Sequence, residues 1–125
     1  MPADVALWER FIEQFPDAYD KVSYDVKIGT VPTMVTEHED ISMQGQAPLY
    51  QRKIDVVGYK ADQIDIIEIG PKAGTNKLGQ VVGYHELYKR DFNPSVEPKK
   101  VVLTDATSVD LAHVAYTMGV LIVVV

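Results

Sequence analysis

The sequence predicts an α/β fold in which one mixed β-sheet is flanked by helices. Three observations support this class: helical periodicity at the start, two strand-like runs joined by a short turn, and strands alternating with helices toward the end. Tight hairpins form antiparallel pairs, whereas strand-helix-strand units generally form parallel ones. The chain has 125 residues, 46% of them hydrophobic, which is enough for one core, so we expect a single domain over residues 1–125.

The chain begins with an amphipathic helix pattern over about residues 3–15, which Pro16 should end. Its aromatic residues fall on the apolar face and are expected to lie in the core: Trp8, Phe11 and Phe15.

Three strands are predicted next, over residues 22–29, 49–59 and 63–70. The segment 60–63 has the length of a hairpin turn, which would place the second and third strands side by side. The intervening residues 30–48 are polar and contain Pro32 and Gly45, so we expect an irregular excursion, with a short strand over 34–36.

The second half alternates helix and strand. Gly74-Thr75-Asn76 can cap a helix that runs to about Arg90, and a strand follows over residues 100–104. Thr107 and Asp110 have the spacing of a capping box for a helix that Gly119 should end. Residues 120–125 are wholly apolar but too few for a membrane helix of roughly 20 residues, so they predict a buried strand and no membrane partner.

Composition excludes several classes of function. Without cysteine there is no disulfide, thiolate metal site or cysteine nucleophile, and an intracellular, cytoplasmic location is expected. The start of the chain lacks the features of an export signal. Walker loops, nucleophile elbows, metalloprotease helices and dinucleotide fingerprints are absent from the sequence. A net charge of -6 counts against a broad basic surface, so contact with DNA would need local basic clusters, bound cations or a partner.

Two acidic residues, Asp55 and Glu68, stand inside otherwise apolar strands. Burying a carboxylate is costly unless a partner offsets its charge, so acids in adjacent strands suggest a shared cation. Strand parity places Asp55 on one face with Val57 and Tyr59. The alternative is that both acids are solvated or form ordinary ion pairs with nearby basic residues.

The order of these pieces resembles the PD-(D/E)XK, or restriction-endonuclease-like, nuclease superfamily. Its pattern is an acid in one strand, an acid two residues before a lysine in the next strand, and then a helix with a Gly-Gln pair. The segments that match are Ile54-Asp55-Val56-Val57, Ile66-Ile67-Glu68-Ile69-Gly70-Pro71-Lys72-Ala73 and Leu78-Gly79-Gln80-Val81-Val82-Gly83-Tyr84. With the first helix, the resemblance covers most of the chain and implies a restriction-endonuclease-like mixed sheet flanked by helices.

The resemblance implies a nuclease that hydrolyses phosphodiester bonds in DNA with Mg²⁺ or Mn²⁺. Asp55, Glu68 and the backbone carbonyl of Ile69 would bind the cation, because hard oxygen ligands suit it. Glu9 matches the acid that the first helix often supplies. The metal would lower the pKa of a bound water and offset charge on the scissile phosphate. A homodimer is a further expectation, since symmetric pairing is the commonest assembly.

The resemblance also assigns roles on the second helix. Gln80 and Tyr84, one turn apart, would line the same cleft as the two acids, with Gln80 counted among the catalytic residues and Tyr84 among those that bind substrate.

Position 70 departs from the superfamily pattern. The lysine expected there orients or activates the attacking water and stabilises developing charge, and Gly70 can do neither. Lys72 could swing back toward the site in a catalytic role. Lys77 is a second candidate, as a substrate-binding or replacement lysine, because some superfamily members carry their lysine on this helix; Lys27 is a weaker third. The missing lysine also favours an alternative function, a nuclease fold that has lost catalysis and binds nucleic acid or protein.

Overall fold

The computed structural model describes residues 2–30 and 52–125. Its elements are α1 (Pro2–Gln14), β1 (Lys21–Ile28), β2 (Arg52–Lys60), β3 (Gln63–Ile69), α2 (Thr75–Phe92), β4 (Lys99–Thr104), α3 (Val109–Thr117) and β5 (Val120–Val124). The predicted order α-β-β-β-α-β-α-β is confirmed. The predicted irregular stretch and the short strand over residues 34–36 lie outside the described residues. Across the two described ranges, no helix is both long and apolar enough to cross a membrane.

The five strands form one mixed sheet in the order β1-β2-β3-β4-β5. β1, β2 and β3 are antiparallel neighbours, and the predicted hairpin is present, with Lys60 paired to Gln63. β3, β4 and β5 are parallel neighbours because α2 and α3 carry the chain back between them. The predicted hairpin and crossovers therefore account for the mixed character of the sheet.

Helices cover both faces of the sheet. On one face, Leu7 and Phe11 of α1 pack against a cluster that includes Val56, Ile67 and Leu103. On the other face, α2 and α3 pack against the second cluster, with these buried residues: Ile28, Ile54, Val57, Ile66, Leu78, Val81, Tyr88, Val102, Leu111, Ala115 and Val120. Each fully buried aliphatic or aromatic side chain contributes about 1.5–3 kcal/mol, so the two clusters hold the layers together.

Two local predictions are corrected. Phe15 is 47% exposed and Trp8 is only half-buried, so the aromatic face of α1 is less completely covered than its periodicity predicts. The cap of α3 is Ser108 rather than Thr107, because the Ser108 side chain accepts a hydrogen bond from the Leu111 amide. A capping motif can be recognised from sequence, but its register shifts easily by one residue.

Candidate active site

The two acids lie where β2 and β3 separate. The antiparallel register of these strands runs from Lys60 and Gln63 to Val56 and Ile67. Beyond that pair β3 continues alongside β4, with Glu68 paired to Val102. Asp55 and Glu68 are the next residues on each strand after the last pair. The sheet thus opens a fork at the positions that the sequence singles out.

Reciprocal hydrogen bonds join the two strands across this fork. The Asp55 amide donates to Oε2 of Glu68 at 2.9 Å, and the Ile69 amide donates to Oδ2 of Asp55 at 2.9 Å. Each carboxylate therefore satisfies a backbone donor on the opposite strand, as a carbonyl would in a regular ladder. The predicted convergence of the acids is present, because each side chain reaches the other strand.

Burial makes this pair of negative charges unfavourable in the absence of a cation. Glu68 is 1% exposed, and burial together with the charge of Asp55 raises the pKa of Glu68 to about 8. The pKa of Asp55 is also raised, chiefly by burial. The nearby positive charge of Lys77 acts in the opposite direction on both pKa values. A buried and a half-buried carboxylate, both with raised pKa values, are suitable hard oxygen ligands for a divalent cation.

Within residues 2–30 and 52–125, no three histidine, aspartate or glutamate side chains gather closely enough to hold a metal ion. A cation at the fork would therefore have Asp55 and Glu68 as its side-chain ligands. The remaining ligands would be backbone oxygen, for which Ile69 is the predicted source, and water.

Lys77 of α2 lies against Gly70. A Cβ atom built on Gly70 would be 2.9 Å from Cε of Lys77 and 3.5 Å from its Nζ atom. The ammonium of α2 thus lies where a side chain at position 70 would begin. This location, just after the end of β3 and two residues beyond Glu68, explains how the charge of Lys77 reaches both acids.

The structure positions Lys72 differently. Its side chain is exposed, and its backbone amide donates to Asp105 at 2.7 Å. Lys72 lines a separate cavity of about 370 Å³ beside the starts of α2 and α3, together with Thr75 and Ser108. Of the three candidate lysines, Lys77 is the one whose charge acts on the acidic pair.

A cavity of about 430 Å³ adjoins Asp55 on the α1 side of the fork. Asp4 supplies the helix carboxylate in its wall, whereas Glu9 is exposed and is not among the lining residues. Asp4 precedes Trp8, another lining residue, by four positions and shares its helix face, while Glu9 points about 100° away from Trp8 around the helix. The residues lining the cavity are Asp4, Val5, Trp8, Tyr24, Asp25, Asp55, Val56 and Ile69.

Asp25 also lies in this wall and was not predicted from the sequence. Its backbone has a φ of 50°, a left-handed conformation that interrupts β1 opposite Asp55. Here the alternation of β2 also changes, since Ile54 and Val57 pack in one cluster and Val56 in the other. Regular strand alternation assigned Asp55 to the same face of the sheet as Val57, but that alternation does not hold at the fork. Asp55 instead lines the cavity on the α1 side of the sheet. The negative charges of Asp4 and Asp25 each raise the pKa of Asp55.

Gln80 and Tyr84 are in contact, as their spacing predicts: Nε2 of Gln80 donates to the Tyr84 hydroxyl at 3.0 Å. They line a shallow depression of about 680 Å³ on α2, together with Arg52 and Asn76. In the described part of the chain, this depression shares no lining residue with the cavity at Asp55. In the described residues the Gln80–Tyr84 pair therefore borders a different depression from the one at Asp55, because sequence spacing does not fix how α2 is rotated relative to the fork.

The five-stranded mixed sheet, with helices on both faces, has a restriction-endonuclease-like fold, and two solved structures share it. One is the EndoMS–dsDNA2 complex, which is 11% identical with a TM-score of 0.55 over 96% of this chain. The other is a repair endonuclease from Pyrococcus abyssi, which is 14% identical with a TM-score of 0.57 over 97% of this chain. The predicted fold class is confirmed.

The chain spans less than half of either structure, 43% of the first and 46% of the second. No protein-family model matches the sequence. No curated protein matches it significantly.

Proposed function

We propose that this chain is a metal-dependent nuclease domain that hydrolyses phosphodiester bonds in DNA. The observation that carries the proposal is the reciprocal pairing of the half-buried Asp55 and the buried Glu68, two acids that reach each other's strands at a fork in the sheet. Such a pair would hold Mg²⁺ or Mn²⁺ through hard oxygen ligands. The fold shared with a repair endonuclease and with EndoMS, whose structure contains double-stranded DNA, supports DNA as the substrate class.

A bound divalent cation would supply positive charge that offsets negative charge on the scissile phosphate. The residues of the chain have separate tasks around it. Asp55 and Glu68 would hold the cation, helped by the carbonyl of Ile69. Lys77 would take the place of the lysine that Gly70 lacks, because its ammonium lies beside position 70 and its charge reaches both acids. In this position it can orient the attacking water and stabilise charge that develops in the transition state.

The remaining predicted site residues would act away from the reacting atoms. Lys72 is exposed, and the Gln80–Tyr84 pair borders a different depression from the acids. We assign these three residues to contacts with the DNA strand on either side of the scissile bond, where an ammonium, an amide and a phenol can bind phosphate or sugar oxygens.

A second candidate is a nuclease-fold protein without catalysis that binds nucleic acid or another protein. Gly70 and the net charge of -6 favour it, because the first removes the usual catalytic group and the second opposes DNA binding. The position of Lys77 favours the active enzyme. The two candidates differ in one measurable property, which is metal-dependent cleavage.

Cleavage of single-stranded, nicked and supercoiled DNA in Mg²⁺ or Mn²⁺ tests the proposal. The informative variants are Asp55→Asn and Glu68→Gln, because each removes a group that can become an anionic metal ligand but retains an oxygen that can accept the backbone hydrogen bond. Asp62→Asn, at the exposed turn between β2 and β3, is the matched control. We expect cleavage by the parent and the control and its loss in both site variants. No cleavage by the parent under any of these conditions would favour the second candidate.

A further inference from the structure

Two aromatic rings form one wall of the cavity beside Asp55. The Trp8 and Tyr24 rings meet edge to face, with centroids 6.2 Å apart and planes at 88°. The indole Nε1 of Trp8 donates to the Tyr24 hydroxyl at 3.2 Å, which fixes the two rings relative to each other. Tyr24 is 57% exposed, so its ring presents free aromatic surface to a ligand. An exposed, oriented aromatic ring beside a candidate phosphodiester site is suited to stacking.

The charges in the cavity select against phosphate and in favour of a base. Asp4, Asp25 and Asp55 line it, and no lysine or arginine is among the described residues of its wall. Asp4 and Asp25, which would not hold the proposed cation, would repel a phosphate from the interior of the cavity. Carboxylates accept hydrogen bonds from the exocyclic amino groups of nucleobases, as they do from cytosine N4. The volume of about 430 Å³ is within the usual range for small-ligand sites.

We propose that this cavity binds one unpaired nucleobase of the strand whose phosphate lies at Asp55 and Glu68. This inference rests on the proposed nuclease function and adds a substrate class, namely DNA in which a base is free of its partner. A paired base inside a duplex cannot enter such a cavity, so the base comes from a single strand or is rotated out of a helix at a mismatched pair. Stacking on Tyr24 and acceptance of amino hydrogens by Asp4 and Asp25 would favour adenine, cytosine or guanine over thymine.

Trp8 is the only tryptophan in the 125 residues, so its fluorescence reports on this cavity and on the neighbouring apolar cavity that Trp8 also lines, and the Tyr24 variants below separate the two. The probes are a single-stranded oligodeoxycytidine and a fully abasic strand of equal length, in Ca²⁺ to separate binding from cleavage. We expect the cytidine strand to quench Trp8 fluorescence and the abasic strand to bind roughly 5- to 150-fold more weakly, the range that one stacked base supplies. Oligothymidine should fall between them.

The variants test whether the ring of Tyr24 is responsible. Tyr24→Ala should lose the preference for the strand with bases, whereas Tyr24→Phe, which keeps the ring, should retain most of it. Tyr116→Ala is the matched control, because Tyr116 is an 85% exposed tyrosine on α3. Parent-like base preference in Tyr24→Ala would overturn the inference.

Duplex probes distinguish the source of the base. Quenching of Trp8 fluorescence by the single strand alone would support the inference and identify single-stranded DNA as the source of the base. Quenching by both the single strand and a mismatched duplex would also support it and add mismatched pairs as a source. Equal quenching by a perfectly matched duplex would overturn the inference. Anisotropy of a labelled strand measures binding independently of Trp8: a strand that binds equally well with and without bases would overturn the base site and leave the nuclease proposal intact. Base-dependent quenching without cleavage in Mg²⁺ or Mn²⁺ would overturn the nuclease proposal alone.

Discussion

Lys77 and Gly70 share one small volume at the end of β3: a Cβ atom on Gly70 would lie 2.9 Å from Cε of Lys77. A side chain at position 70 and the ammonium of α2 therefore compete for the same place. The clash would involve the far end of a flexible side chain, so a larger residue at position 70 would displace Lys77 without disturbing the strand. This relationship makes the replacement of one lysine by the other directly testable.

Lys77→Met should lower the rate of metal-dependent cleavage by about 10²- to 10³-fold, the usual loss when one transition-state charge partner is removed. Lys72→Met should have a much smaller effect, because Lys72 lies against a separate cavity. Steady-state cleavage rates at saturating metal measure both. Equal losses in the two variants would contradict the assignment.

The double variant Gly70→Lys with Lys77→Ala should recover much of the activity that Lys77→Ala loses, because the ammonium would return to the same volume from the strand. Gly70→Lys alone should give little gain over the parent, since two ammonium groups would then crowd each other. Cleavage rates of the four proteins form a complete cycle. Additive losses in the double variant would show that the two positions do not substitute for each other.

The metal-free protein should lose stability as the pH rises from about 5 to about 8. Folding raises the pKa of Glu68 from an ordinary 4.5 to about 8, so between these values the folded protein holds a proton that the unfolded chain has released. Because the folded state binds more protons, its stability falls by about 1.4 kcal/mol per pH unit in this window. Urea denaturation in a chelator measures the slope. Glu68→Gln should flatten it, and an unchanged slope in that variant would contradict the raised pKa.

Asp4 should influence the site more than Glu9 does. Asp4 lines the cavity at Asp55, and its charge raises the pKa of both Asp55 and Glu68. Asp4→Asn should therefore weaken binding of Mn²⁺ by about two- to fivefold, the effect of one charge several ångströms away in a solvated cleft. Glu9→Gln, which neutralises an exposed residue of the same helix, is the matched comparison. A larger loss in Glu9→Gln would restore the original prediction for that residue.

Two glycines should respond oppositely to alanine. A Cβ atom on Gly58 would lie 2.6 Å from the ring of Tyr19, whose hydroxyl donates to the buried Asp65 at 2.6 Å. Gly58→Ala should destabilise the protein by about 1–3 kcal/mol through overpacking. Gly79 is in α2 with nothing within 4 Å of its Cβ position, so Gly79→Ala should stabilise by about 0.5–1 kcal/mol. Denaturant midpoints measure both, and equal shifts would contradict the packing at Gly58.

The sequence was sufficient for element order because that order depends on local periodicity. It also predicted that Asp55 and Glu68 converge, since a short hairpin leaves little choice in how β2 and β3 pair. Features that depend on the orientation of a helix were not predictable in the same way. The choice of Asp4 over Glu9 depends on how α1 is rotated above the sheet.

The same limit explains the other differences from prediction. Lys77 was one of three candidate lysines, and choosing among them requires the position of α2 relative to the end of β3. The separation of Gln80 and Tyr84 from the acidic cavity depends on the rotation of the same helix. Asp25 gives no sequence signal, because an aspartate in an alternating strand is ordinary until its left-handed backbone is known.

Calorimetric titration with Mn²⁺ and Mg²⁺ tests the central claim most directly, because it measures the cation site without any dependence on substrate or turnover. The parent and Asp62→Asn should bind with the same affinity, and binding should disappear in Asp55→Asn and Glu68→Gln. Equal binding in all four proteins, or none in a folded parent, would contradict the claim that these two acids form a metal site.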